Sequence, residues 1–82
     1  MTNKSKTLTQ AFEGRNAEIA DYQINIDNYR LALLEIENNY SDHEDLTVFK
    51  TQVEGLLSSS ILEQKKSIIM RDVIKYQLED QK

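Results

Sequence analysis

The stretch that decides the fold is residues 19–40, which read IADYQINIDNYRLALLEIENNY. Within it, large apolar residues recur at alternating gaps of three and four positions without an interruption. This is the a/d heptad pattern of a helix that packs along its whole length against a second helix. The residues of this predicted helix-packing seam are Ile19, Tyr22, Ile26, Tyr29, Leu33, Ile36 and Tyr40.

The same spacing continues toward the N-terminus through Arg15, Phe12 and Leu8, so the predicted first helix covers about residues 7–39. Residues 1–6 are polar, and we expect them to form a frayed tail ahead of a capping box that begins at Thr7. At about 1.5 Å per residue the helix would be roughly 50 Å long. It forms the first half of a single domain, residues 1–82.

The composition favours helices and excludes several other classes of protein. The chain has no proline and two glycines, which leaves little room for turns. It has no cysteine, which excludes disulfides and thiolate metal sites. No window reaches about 18 apolar residues, and no apolar run follows the first lysines, so we expect neither a membrane span nor a signal peptide. The expected product is an all-α cytoplasmic protein.

A turn is predicted at residues 40–45, directly after the pair Asn38-Asn39. Ser41 and Glu44 match a capping box for a following helix, and the acidic residues around them suit the positive end of that helix. Because the connection is short, the second helix should run back antiparallel to the first, over about residues 46–57.

Beyond Leu57 the apolar phase of the sequence changes. The best stripe of the C-terminal segment lies about 140° further around a helix, at about 100° per residue, and it comprises Leu62, Ile69, Val73 and Tyr76. Two structures fit this change. Either the return helix breaks near Ser58–Ser60 and a third helix covers about residues 60–80, or one long helix uses different faces in its two halves. The first is predicted here, as a helical hairpin or a three-helix arrangement with coiled-coil-like packing.

Both helical segments carry apolar residues that a simple hairpin does not need. Ile24, Leu31 and Leu34 lie off the seam, and the first two occupy f positions, which normally face water. A third helix, a second copy of the chain or another protein should therefore cover them. We expect a homo-oligomer and a protein partner, with six candidate interaction residues: Ile24, Leu31, Leu34, Ile69, Val73 and Tyr76.

No pattern in the sequence indicates catalysis, a cofactor or a metal. His43 is the only histidine, and in an acidic turn it is better explained as a solvated residue than as a structural metal ligand. No base is paired with Ser58–Ser60, and no glycine motif for phosphate binding is present. We therefore expect no catalytic, cofactor-binding or metal-binding residue.

The basic residues of the C-terminal segment also argue against nucleic acid. Lys65, Lys66, Arg71 and Lys75 spread over roughly 220° of a helix at about 100° per residue, and the net charge is −4. Phosphate binding needs a basic field on one face. A small nucleic-acid accessory protein and a structural coiled-coil assembly factor or chaperone remain the two alternatives to a protein-binding regulator.

The opening Met-Thr-Asn-Lys-Ser, the small size and the segment Ile-Asp-Asn-Tyr-Arg-Leu-Ala-Leu-Leu-Glu-Ile-Glu-Asn-Asn-Tyr at 26–40 resemble the cytoplasmic lysis-inhibition accessory proteins of T4-like phages. The resemblance covers all 82 residues. It implies an antiholin accessory, which binds the cytoplasmic N-terminal part of the phage holin and helps to delay hole formation in the host membrane. It assigns no binding residue.

Overall fold

A computed structural model describes residues 2–80, and the side chains of residues 4–80, as two long helices joined by a short connection. Helix α1 spans Thr2–Asn39, a single 3₁₀ turn spans Glu44–Leu46, and helix α2 spans Thr47–Glu79. The helices pack antiparallel in a rod that measures 61 × 15 × 14 Å. The predicted all-α helical hairpin is confirmed.

Helix α1 begins earlier than the sequence pattern predicted. Residues 2–6, expected to be frayed, are helical, so the capping box at Thr7 is wrong as a helix start; Met1 lies outside the described residues. These residues include neither proline nor glycine, so nothing in the backbone opposes an added turn. The hydroxyl of Thr9 also donates to the Ser5 carbonyl oxygen at 2.9 Å, which ties one early turn to the next.

The connection between the helices is a series of tight backbone turns. The Tyr40 N–H donates to the Ile36 carbonyl oxygen at 2.9 Å. The His43 N–H donates to the Tyr40 carbonyl oxygen at 3.0 Å, and the Leu46 N–H donates to the His43 carbonyl oxygen at 3.0 Å. The rings of Tyr40 and His43 meet edge-to-face at 5.3 Å between centroids. The capping box expected at Ser41 is wrong, because the N-cap of the 3₁₀ turn is His43 and that of α2 is Leu46, and neither makes a side-chain cap bond.

The core is a narrow line between the two helices. Ile26 is 2% exposed and Val53 4%, with Ile36 and Ile74 buried on either side of them along the rod. Tyr40, the last residue of the predicted seam, is 43% exposed at the hairpin end. The other residues of the α1 seam are half-buried on the same face: Ile19, Tyr22, Tyr29 and Leu33.

Helix α2 is continuous, and the predicted break at Ser58–Ser60 is wrong. Its buried and half-buried residues keep the heptad spacing from one end to the other, so α2 has no reason to end where the apolar phase changes. The seam simply passes through polar side chains. In order, its residues from the first buried position are Val53, Leu57, Ser60, Gln64, Ser67, Arg71, Ile74 and Leu78.

Cross-helix hydrogen bonds make this polar seam possible. The Gln64 side-chain amide donates to the Ile19 carbonyl at 3.2 Å and to the Gln23 side chain at 2.9 Å. Ser67, only 4% exposed, donates to the Glu18 carboxylate at 3.0 Å. Every buried side-chain nitrogen or oxygen among the described residues has a hydrogen-bond partner. A satisfied polar group can stay in a helix seam without the full cost of its desolvation.

The continuity of α2 has a direct test in hydrogen exchange. We expect the amides of Ser58–Ser60 to exchange as slowly as those of Val53 and Ser67, because all three belong to one uninterrupted helical hydrogen-bond ladder. Exchange measured residue by residue by NMR would show this. Faster exchange at Ser58–Ser60 than on either side would instead support the predicted break of the return helix at these residues.

Candidate interaction surfaces

One candidate surface, the α1 outer face, points away from α2. It repeats at gaps of three and four positions on the side opposite the seam. Ile24 is 59% exposed, Leu31 62% and Leu34 51%, so the structure places all three candidate residues of α1 in solvent on one face. The full stripe is Ala17, Ala20, Ile24, Asp27, Leu31, Leu34.

The rim of the α1 outer face is acidic. Glu13, Asp21, Asp27 and Glu35 are all exposed on this side of the helix, and between residues 13 and 38 the b, c and f positions hold no lysine or arginine. Arg30 lies at the edge of the face, at an e position beside α2. This side of the hairpin therefore combines an apolar stripe with a one-sign electrostatic field.

A second candidate surface, the α2 outer face, runs the length of α2. Five of its residues follow one another at intervals of seven: Val48, Gly55, Leu62, Ile69 and Tyr76. Tyr76 is 70% exposed, and the candidate residues Ile69 and Val73 are 61% and 45% exposed. Larger neighbours widen the stripe: Phe49, Leu56, Met70 and Val73.

In the C-terminal half of α2, part of the seam is polar and part of the apolar surface faces water, although Ile61, Ile68, Ile74 and Leu78 remain buried or half-buried. Gln64 and Ser67 face α1, whereas Leu62 and Ile69 face water. The separate third helix predicted over about residues 60–80 is the second half of α2, and the predicted interaction residues Ile69, Val73 and Tyr76 on it are exposed. A helix normally turns its apolar side to the core, so the exposed apolar residues of this outer face are a candidate interaction surface.

The basic residues of α2 do not form a single patch. Lys66 pairs with Glu63 at 2.9 Å, and Arg71 pairs with Asp72 at 3.2 Å while it also reaches Asn16 on α1 at 3.5 Å. Arg71 is half-buried in the seam, on a different side of the helix from the exposed Lys65 and Lys66. This is the mixed-charge arrangement that the sequence indicated, with acidic partners interleaved along the helix.

The described residues contain no cluster of possible metal ligands. No three histidine, aspartate or glutamate side chains among residues 2–80 lie close enough to share a metal ion. His43 Nδ1 is 3.8 Å from an Asp45 carboxylate oxygen, and both side chains are exposed. Over the described residues, neither helix has a stretch that is both long and apolar enough to cross a bilayer.

Sequence reasoning located the six candidate residues but missed most of the α2 outer face. Val48, Phe49, Leu56 and Met70 are between 43% and 69% exposed and were not among the candidate interaction residues. Two neighbouring series at intervals of seven would have found them: the series from Val48 to Tyr76, and the series that contains Phe49, Leu56 and Met70. Comparisons with protein-family models, with curated proteins and with solved structures find no match to this chain, so its function has to be inferred from these two outer faces.

Proposed function

We propose that this chain is a non-enzymatic regulator that acts by binding another protein. One observation carries the proposal: among the described residues, twelve large apolar side chains are exposed and four apolar side chains are buried. A hairpin two helices thick cannot cover its own apolar surface. Exposed apolar patches of this extent mark sites of protein interaction.

The α1 outer face is the proposed docking site for the partner. Ile24, Leu31 and Leu34 form an apolar strip about 15 Å long at about 1.5 Å per residue, which suits the apolar side of a single helix in a helix-in-groove or side-by-side contact. The acidic residues Asp21 and Glu35 on its rim favour lysine and arginine on the partner. The partner we propose is therefore a basic amphipathic segment.

The resemblance to phage lysis-inhibition accessory proteins supplies a concrete candidate. Cytoplasmic segments that adjoin a membrane span carry an excess of lysine and arginine, which matches the acidic rim of the α1 outer face. We therefore propose the cytoplasmic segment of a holin as the partner. A hairpin that holds this segment lowers the amount of free holin by mass action and so delays the assembly of holes.

Substitution of Leu31 by glutamate tests the proposal. Leu31→Glu adds a like charge to an acidic face and removes an apolar anchor, and we expect it to weaken binding of a synthetic holin cytoplasmic segment by about tenfold or more, or about 1.4 kcal/mol or more. Asn25→Glu adds the same charge to α1 at an exposed position off the stripe, and it should bind as the unmodified chain does.

The same variants should differ in their effect on the time of lysis in cells. Co-expression of the unmodified chain with a T4-like holin should delay lysis, Asn25→Glu should preserve the delay, and Leu31→Glu should abolish it while circular dichroism shows unchanged helix content. Equal delay with both variants would remove the α1 outer face from the mechanism. No delay with the unmodified chain would refute the antiholin assignment itself.

A further inference from the structure

We infer that the α2 outer face is the contact between two copies of this chain, which pair antiparallel about a twofold axis at Leu62. The inference does not rest on the proposed docking site, which lies on α1, although the α2 side chains belong to the same exposed apolar surface. Its occupant is a second copy rather than another protein, for reasons of shape, charge and area that the α2 outer face itself supplies.

The shape of the stripe is complementary to itself in one orientation. Its members Val48, Gly55, Leu62, Ile69 and Tyr76 are evenly spaced, so a twofold axis at Leu62 sets Gly55 of one copy opposite Ile69 of the other. The same axis sets Val48 opposite Tyr76. The smaller residues of the stripe, Gly55 and Val48, then face the larger Ile69 and Tyr76 on both sides of the axis, and Leu62 meets its own equivalent at the centre. A parallel pair would set Gly55 against Gly55 and leave a gap.

The charges beside the stripe favour the same orientation. Under the twofold axis at Leu62, Lys66 of one copy lies level with Ser58 of the other, and Lys65 lies level with Ser59. A parallel pair would instead set each lysine level with its own equivalent, and like charges that face each other at an interface are unfavourable. Ser58 and Ser59 thus place small, neutral side chains opposite Lys66 and Lys65.

The available area is enough for a stable dimer. Eight large apolar side chains of α2 are between 43% and 70% exposed. Together they expose on the order of 900 Å², and a standard stable interface buries about 800 Å² per partner. The surface of the whole chain is 6,326 Å², whereas the scaling law for folded monomers of this mass gives about 5,100 Å².

Cysteine cross-linking tests the axis directly, because the chain has no cysteine of its own. With a short bis-maleimide, Leu62→Cys should cross-link to itself in high yield, since the axis passes through this position. Leu31→Cys, equally exposed on α1, is the matched control and should cross-link poorly. A mixture of Gly55→Cys and Ile69→Cys chains should cross-link more than either chain alone. Equal yields at Leu62 and Leu31 would overturn the inference.

Substitution of Gly55 tests the packing. A Cβ added at Gly55 or at Gly14 meets nothing within 4 Å, and both positions are exposed, so a leucine side chain there can extend into solvent in the single hairpin. In the dimer, however, Gly55→Leu should collide with Ile69 of the second copy. We expect it to weaken dimerisation by about tenfold or more, as a ratio of dissociation constants, whereas Gly14→Leu should change it by about twofold at most. Circular dichroism checks that both variants stay helical.

Sedimentation velocity over a wide concentration range gives the dissociation constants. The expected result is a monomer–dimer equilibrium that stops at the dimer, because a twofold contact is closed. A strict monomer at high micromolar concentration would overturn the inference, and so would a dimer unaffected by Gly55→Leu. Growth beyond the dimer would indicate that the α1 outer face of one copy packs on α2 of the next, which also contradicts the twofold contact. The Gly55→Leu variant should still bind the holin segment, because Gly55 lies on α2 and the proposed docking site lies on α1. Measuring that binding therefore keeps this test separate from the test of the proposed function.

Discussion

Replacement of Ile26 by alanine is expected to lower the free energy of unfolding by about 2–5 kcal/mol, the range for removal of a buried isoleucine side chain. Ile26 is the most buried large side chain described, at 2% exposure. Loss of its side chain leaves a cavity in a core that is only one line of residues wide. For a domain of this size the melting temperature should fall by roughly 10–30 °C.

Ile24→Ala is the matched control for this experiment. The same side chain is removed two positions away on the same helix, but Ile24 is 59% exposed. We expect a change within about 0.5 kcal/mol, because surface substitutions away from special features rarely exceed that and alanine is a better helix former than isoleucine. Thermal melts by circular dichroism at low micromolar concentration measure both variants. Equal losses would mean that the α1 outer face is part of the core.

Substitution of Ser67 by aspartate is expected to destabilise the hairpin by about 3 kcal/mol, since it introduces a charge with no fitted partner into a buried position. Ser67 is 4% exposed, and its hydroxyl donates to the Glu18 carboxylate at 3.0 Å. The Arg15 guanidinium already pairs with the same carboxylate oxygen at 3.0 Å. The carboxylate of an aspartate at position 67 would therefore lie against the Glu18 carboxylate, to which the serine hydroxyl donates a hydrogen bond.

The effect of Ser67→Asp should depend on pH in a defined direction. Burial and the neighbouring carboxylate both disfavour the charged form, so the pKa of the introduced carboxyl should be higher in the folded than in the unfolded chain. The penalty is then absent below the unfolded value of about 3.9 and grows as the pH rises through the folded value. The stability gap to the unmodified chain, measured by urea titration, should narrow toward pH 3.

Ser58→Asp is the control for register. Ser58 and Ser67 are both serines within α2, but Ser58 is exposed. We expect Ser58→Asp to change stability by about 0.5 kcal/mol at most. If Ser58→Asp lost more stability than Ser67→Asp, the face of α2 that packs against α1 would not be the one that contains Gln64 and Ser67.

The strongest sequence signal was also the most informative one. Seven consecutive a/d positions in residues 19–40, together with the absence of proline, determined α1, and its end at Asn39 followed from the asparagine pair before Tyr40. Hydrophobic periodicity succeeds there because Ile26 and Ile36, which lie on the a/d stripe, are also the residues of α1 that lose most contact with water. The same signal predicted that Ile24, Leu31 and Leu34 lie outside the hairpin seam.

The limits of the sequence appeared in the second half of the chain. The change of apolar phase beyond Leu57, together with the serines of Ser58–Ser60, predicted a helix break that α2 does not contain. That reasoning assumes that apolar residues go inside and polar residues outside, which holds only when each polar group has no partner available in the core. Gln64 and Ser67 find such partners on α1, so the assumption does not apply to them.

By itself, the sequence determined that this protein is helical, that its first helix packs along a heptad seam and that it carries more apolar surface than one hairpin can bury. Only the tertiary structure decided which face of α2 meets α1. The physical reason is that a helix already anchored at Leu57 and Ile74 cannot rotate between these points without breaking its own backbone hydrogen bonds. Cross-helix bonds then satisfy the polar residues in between, and the apolar residues on the other side are left exposed.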